Sequence, residues 1–285
     1  MVSSRIVERS LEELAYPQHG EVYNPLDLGR VAFLGAGQKW YGAVLETSVE
    51  NGVVSRLAKI AENAGVMIRF IQFSNVEPHD GLMRAIVFLD FSNTSVTPEE
   101  LLRLARKQPF VKSANLITPT LNGILSDTYF FPLVVGKKRA VIFRRRVYES
   151  LFKGIREKFG TAGEAMLYYQ GFAIGNRTYQ AYREETGLEK PEELAGFMKI
   201  YLRTMGWGIM DIVSLNVEKG EAQIRIHQSF ECETGKDSET PYGHFTRGIL
   251  AGYFASIFEK EAKVIETRCI AKGDPYCEYM INTHG

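Results

Sequence analysis

The sequence predicts an α+β protein. A ferredoxin-like β-α-β-β-α-β unit comes first, and a unit of helices packed on an antiparallel sheet follows. Three observations predict this. Between residues 41 and 118, strand-like apolar runs and amphipathic stretches with helix stops alternate in the split order. Beyond residue 133, long stretches of helical periodicity precede strand-like runs and a closing hairpin. Between the two, Pro119, Asn122, Gly123 and Pro132 act as breakers. The expected organisation is an N-terminal extension at 1–40, a first domain at 41–118, a linker at 119–132 and a second domain at 133–285.

The elements follow in order. In the extension, residues 4–14 read as a short helix, and Pro17, Gly20 and Pro25 read as loop. Gly35-Ala36-Gly37 opens like a dinucleotide fingerprint, but the third glycine position holds Trp40, so a plain turn is expected. Residues 43–49 read as a strand and Asn51-Gly52 as a turn. Residues 53–64 read as a helix with Val53, Val54, Leu57, Ile60 and Ala61 on one face, stopped by Gly65. Strands at 66–74 and 85–91 follow. Thr97 caps the next helix, with Pro98 at its first position and acids in its first turn. A strand at 111–117 closes the unit.

In the second domain a strand is expected at 139–143. Helices follow from Val147, at 163–186 and at 194–204. Strands at 207–217 and 222–229, a helix at 242–258 and a hairpin of 264–269 with 277–281 complete it; Ala271-Lys272-Gly273-Asp274-Pro275 makes the hairpin's turn.

Bulk composition limits function. Lys plus Arg equals Asp plus Glu at 34 each, so no net field draws the chain to nucleic acid or an anionic membrane. The local run Lys137-Lys138-Arg139 and Arg144-Arg145-Arg146 suits either phosphate binding or solvated charges around a strand and a helix start. No apolar run reaches the length of a membrane span, and the N-terminus does not read as a signal peptide, so a cytoplasmic protein is expected. Three late cysteines, Cys232, Cys269 and Cys277, are odd in number; they point to metal binding or buried thiols, not a disulfide framework.

The strongest chemical signal is Glu266-Thr267-Arg268-Cys269 followed by Cys277 across the hairpin. Thiolates with a carboxylate suit tetrahedral zinc, although a metal-free hairpin with two buried thiols fits the same spacing. Residues 266 and 269 have opposite parity, so both reach one ion only if the strand bulges or ends near Arg268. The helix before the hairpin carries Phe245, Ile249, Tyr253 and Phe258, with Gly248, Ala251, Gly252 and Ala255 as a small-residue stripe. That stripe calls for close packing or for room beside the helix.

The run "GILAGYFASIF…VIETRCIAKGDPYCEYMI" resembles the signature that ends 4-vinyl-reductase-type domains, and the resemblance covers about half the chain. That domain is shared by phenol- and toluene-sensing transcription activators and by proteins linked to bacteriochlorophyll synthesis; its fold is related to subunits of vesicle-tethering complexes. The resemblance implies a structural zinc on Glu266, Cys269 and Cys277. A fourth family cysteine falls on Gly243, leaving His244, Cys232 or water for the last bond. It also implies an apolar effector pocket, for which Tyr168, Phe172, Trp207, Phe245, Ile249 and Tyr253 are the candidate lining. The tryptophan that orients phenol before the family's S-x-E segment falls on Ile226, ahead of Ser229-Phe230-Glu231. A more apolar ligand such as a lipid or isoprenoid therefore fits as well. Residues 46–68 resemble an ACT domain, which implies a small-effector loop at Glu50, Asn51, Gly52 and Val53, usually between paired copies.

No nucleophile elbow, His-Glu-x-x-His or phosphate loop is present, so no enzyme is expected. The expected function is a homodimeric sensor of a small hydrophobic or aromatic molecule. With no helix-turn-helix in the chain, it would signal through a separate transcriptional or signalling partner. The alternative is a scaffold like the tethering-complex subunits, its pocket permanently filled.

Overall fold

A computed structural model describes residues 25–74, 81–121 and 123–283. The helix expected at 4–14 lies outside the described residues. The chain divides into two compact units, Met1–Val141 and Ile142–Gly285.

The first unit contains β1 (Val31–Phe33), β2 (Trp40–Ser48), α1 (Val53–Asn63), β3 (Met67–Phe73), β4 (Leu82–Asp90), α2 (Pro98–Arg106), β5 (Val111–Ile117), β6 (Ile124–Ser126), β7 (Val134–Val135) and β8 (Lys138–Arg139). The main sheet has the order β3-β4-β2-β5, all antiparallel, which is the split β-α-β-β-α-β unit. Local chemistry sets the helices. Gly52 takes φ +80 to enter α1, a conformation that side-chain-bearing residues rarely adopt. Thr97 and Glu100 form a reciprocal capping box on α2, with Pro98 in its first turn.

β4 is apolar at every position from Ala85 to Leu89, and alternation sends those side chains to opposite faces. Val87 and Leu89 join Leu57, Leu101 and Leu102 on the helix-covered face. Ile86 and Phe88 need cover on the other, and Leu125 of β6 supplies it. The stretches expected as extension and linker are therefore structural parts of the first unit: β1 pairs with β6, Val31 opposite Ser126 and Phe33 opposite Ile124. The Gly35 turn closes locally, with the Gln38 amide donating to the Gly35 carbonyl.

The second unit contains α3 (Arg145–Phe159), α4 (Thr161–Thr186), α5 (Pro191–Thr204), β9 (Ile209–Asn216), β10 (Glu221–His227), α6 (His244–Phe258), β11 (Lys263–Arg268) and β12 (Cys277–Asn282). Its sheet order is β11-β12-β10-β9, antiparallel throughout. The strand expected at 139–143 ends at Arg139, because Val141, Ile142 and Phe143 find nothing to pack against and stay exposed.

α6 is buried on nearly every side and crosses α4 through glycines. A Cβ at Gly248 or Gly252 would overlap the backbone of Tyr168 or Phe172. One at Gly171 or Gly175 would overlap the carbonyls of Phe245 or Ile249. The ascending register of these pairs means that the two helices run parallel. The stripe on α6 thus serves close helix approach, not ligand space.

Candidate metal centre and interior pocket

Four side chains converge where the sheet meets the start of α6. Cys232 opens a 3-10 turn after β10. Glu266 lies in β11, Cys269 just beyond it, and Cys277 begins β12. One ligand atom from each lies within 4.8 Å of every other, and all four residues are buried. The parity problem at 266 and 269 is solved by a register shift between Glu266 and Arg268, after which β11 ends.

The donor set fits a tetrahedral ion. Ligands about 2.3 Å from zinc stand about 3.8 Å apart, and Cys232 Sγ lies 3.7 Å from Glu266 Oε1. Backbone amides support the sulfurs: Tyr242 N donates to Cys269 Sγ and Ile270 N to Cys277 Sγ, each at 3.4 Å. Gly243 N donates to Glu266 Oε2 at 3.0 Å, and the Tyr279 hydroxyl donates to Oε1 at 3.3 Å. Burial pushes the Glu266 carboxyl up to about 8, with the neighbouring Cys269 adding to it. Hydrogen bonds from Cys232 and Cys277 hold the Cys269 thiol well below the usual range. A bound cation removes this competition for charge by stabilising all the deprotonated donors together.

His244 is not brought to this group. Its Nε2 faces Glu164 at 3.6 Å and its Nδ1 the Tyr242 carbonyl at 3.3 Å. Gly243 cannot host a ligand side chain either, since a Cβ there would run into the Tyr279 hydroxyl and the Glu266 carboxylate. The fourth position is filled from the opposite side, by Cys232.

Beside Cys232 stands a residue that sequence reasoning used only as a landmark. Glu231 is fully buried and accepts from Phe245 N at 3.0 Å, Thr246 N at 2.8 Å and the Thr246 hydroxyl at 2.8 Å, so it caps α6. Arg156 of α3 bonds Glu231 and the Tyr242 carbonyl, with its guanidinium 3.8 Å from the Tyr242 ring centre. An arginine in mid-helix carries no sequence signal for this role.

The six expected pocket residues do not share one chamber. Trp207 and Ile249 line a small cavity with Met198, Ile226, Phe230 and Thr246. Phe245 sits behind Phe230 and Phe152, at ring distances of 6.4 and 5.0 Å. Tyr253 belongs to a separate cluster with Tyr179 and Tyr182, its hydroxyl on the Leu194 carbonyl at 2.8 Å. Tyr168 lies under Arg247, and Phe172 lends its backbone to the glycine crossing. The cavity measures about 10 Å³, the space of one water.

In the first unit, Glu50 accepts from Ser48 Oγ at 2.7 Å and pairs with Arg56 at 3.3 Å, while Asn51 offers its carbonyl to the same arginine. Gly52 caps α1 and Val53 is buried, so the loop is self-satisfied.

Residues 222–283 match the vinyl-4-reductase domain. The Methanocaldococcus jannaschii protein MJ1642 is 30% identical over 131 residues, spanning 46% of this chain and 71% of that protein. The protein belongs to this vinyl-4-reductase-domain family. Among solved structures, the phenol-responsive sensory domain of the transcription activator PoxR with phenol aligns at a TM-score of 0.48 and 16% identity, over 53% of this chain and 79% of that one. A vinyl-4-reductase family protein from M. jannaschii aligns at 0.37 and 20% identity, over 53% and 87%.

Proposed function

We propose that the second unit is a non-catalytic sensory domain, stapled by a structural zinc on Cys232, Glu266, Cys269 and Cys277. In this reading it responds to an apolar or aromatic molecule entering at Trp207, Ile226, Phe230 and Ile249 and passes the signal to a partner protein. One observation carries the reading. Three consecutive residues face three different structures: Phe230 lines the cavity, Glu231 caps α6, and Cys232 belongs to the metal cluster. Displacing Phe230 therefore loads the cap and the cluster at once.

A zinc bound there would supply charge neutralisation and a fixed joint between the closing hairpin and the turn after β10. The chain's own residues do the rest. Glu231 and Arg156 hold α6 in register against α3, and the amides of Tyr242 and Ile270 hold the sulfurs. A benzene-sized guest needs a cavity of about 150 Å³. Entry at this site thus requires Phe230 or Trp207 to swing away, and that movement is the proposed signal.

The small cavity also favours a second reading, a scaffold whose interior is filled by its own side chains. Thermal melts of the full chain with a panel of phenols, aromatic hydrocarbons and isoprenoids separate the two. Under the sensory reading at least one compound raises Tm, by the equivalent of about 2.7 kcal/mol at a hundredfold excess over Kd, and Phe230→Ala binds it more tightly. A flat response from both the parent chain and Phe230→Ala supports the scaffold and rejects the sensor.

A further inference from the structure

We propose that residues 131–147 dock on an anionic lipid bilayer surface. Between Asp127 and Glu149 the chain has six cations, Lys137, Lys138, Arg139, Arg144, Arg145 and Arg146, and no acid. Every residue from 134 to 147 except Ala140 is exposed. The cations alternate with apolar groups that are also exposed: Phe131 at 82%, Val141 at 68% and Phe143 at 56%.

The local backbone explains this exposure. β7 and β8 form a hairpin of two residues per strand, Val134 opposite Arg139 and Val135 opposite Lys138. Gly136 and Lys137 make its turn, both at positive φ, as a two-residue hairpin requires. Val134 and Val135 lie on opposite faces, and both are exposed. Neither face of the hairpin has an apolar cover.

Charge complementarity selects an anionic partner, and the aliphatic groups select its kind. Phosphates of a nucleic acid would take the cations and could stack on Phe131 or Phe143, but would leave Val134, Val135, Val141 and Ile142 in water. The headgroup and acyl boundary of a bilayer takes both at once: basic groups at the negative surface and apolar groups a few ångströms deeper. Neither signal alone gives stable anchoring, and this stretch carries both.

The test is co-sedimentation of the full chain with vesicles of phosphatidylcholine alone and of phosphatidylcholine with phosphatidylglycerol. Binding to the mixed vesicles is expected to exceed that to the neutral ones by at least about tenfold, and to weaken as salt rises. Arg144→Glu/Arg146→Glu should weaken it by at least about tenfold; both positions are exposed at the start of α3, where acids suit the helix dipole, so folding is preserved. Val141→Ser/Phe143→Ser keeps the charge and should also weaken it. Circular dichroism checks that both variants fold. No preference for anionic vesicles overturns the proposal. So does a preference that Val141→Ser/Phe143→Ser leaves intact; if a DNA duplex also displaces the vesicles, the patch is a nucleic-acid site instead.

Discussion

Arg156 and Glu231 meet as an ion pair 2.5 Å apart, with side-chain exposures of 9% and 0%, at the first turn of α6. The carboxylate also takes two backbone amides of that helix, so the pair fastens α3, α6 and the turn that carries Cys232.

Removing one partner of a buried pair leaves the other charge uncompensated and typically costs about 3–5 kcal/mol. Arg156→Met is therefore expected to destabilise the second unit by about 3 kcal/mol, since Glu231 keeps the Phe245 and Thr246 donors. Glu231→Gln, which keeps an acceptor for the cap, should cost less. Urea midpoints of the two variants check this; equal losses near zero would show that the pair is incidental.

The α4–α6 crossing makes a sharper forecast. Gly171→Ala and Gly248→Ala place a methyl against a backbone carbonyl that cannot yield without moving a helix. Each is expected to cost about 3 kcal/mol, at the upper end of overpacking effects. Gly196→Ala is the control: a Cβ there meets nothing within 4 Å, and alanine is the better helix former by roughly 0.5–1 kcal/mol. Thermal melts should move in opposite directions for the two classes.

Acid sensitivity of the first unit should involve Asp90. Burial works to raise its pKa, but hydrogen bonds from Ser92 and Arg69 outweigh it and hold the carboxyl at about 2, below its usual 3.8. The folded state thus binds the proton less readily than the unfolded chain. Stability from this group is present in full above the unfolded value and is lost as pH falls through about 2. Asp90→Asn should flatten that part of the acid-unfolding curve; an unchanged acid limb would contradict the assignment.

Much of the first unit was legible because its signals are local. The Thr97 capping box, the Gly65 stop and the apolar run of β4 each depend on neighbours in sequence. The pairing of β1 with β6 was not legible, because it joins two three-residue strands across the whole domain. In the second unit Cys269 and Cys277 could be brought together from the hairpin alone. The choice between Cys232 and His244 could not be read, since it depends on where the turn after β10 folds and on the space that Gly243 leaves for Glu266. The aromatic residues misled for a related reason. Helical spacing put Tyr168, Phe172 and Tyr253 near the glycine stripe, but the parallel crossing turned that stripe into backbone contact and divided the aromatics among separate clusters.

The most direct measurement is the metal content of the full chain, purified without added metal or chelator and weighed by native mass spectrometry. The account predicts one zinc per chain, lost in Cys232→Ser and in Cys277→Ser but kept in His244→Ala, with cobalt substitution giving a thiolate charge-transfer band. A chain that arrives metal-free, takes up neither zinc nor cobalt, and melts at the same temperature with and without them would contradict it.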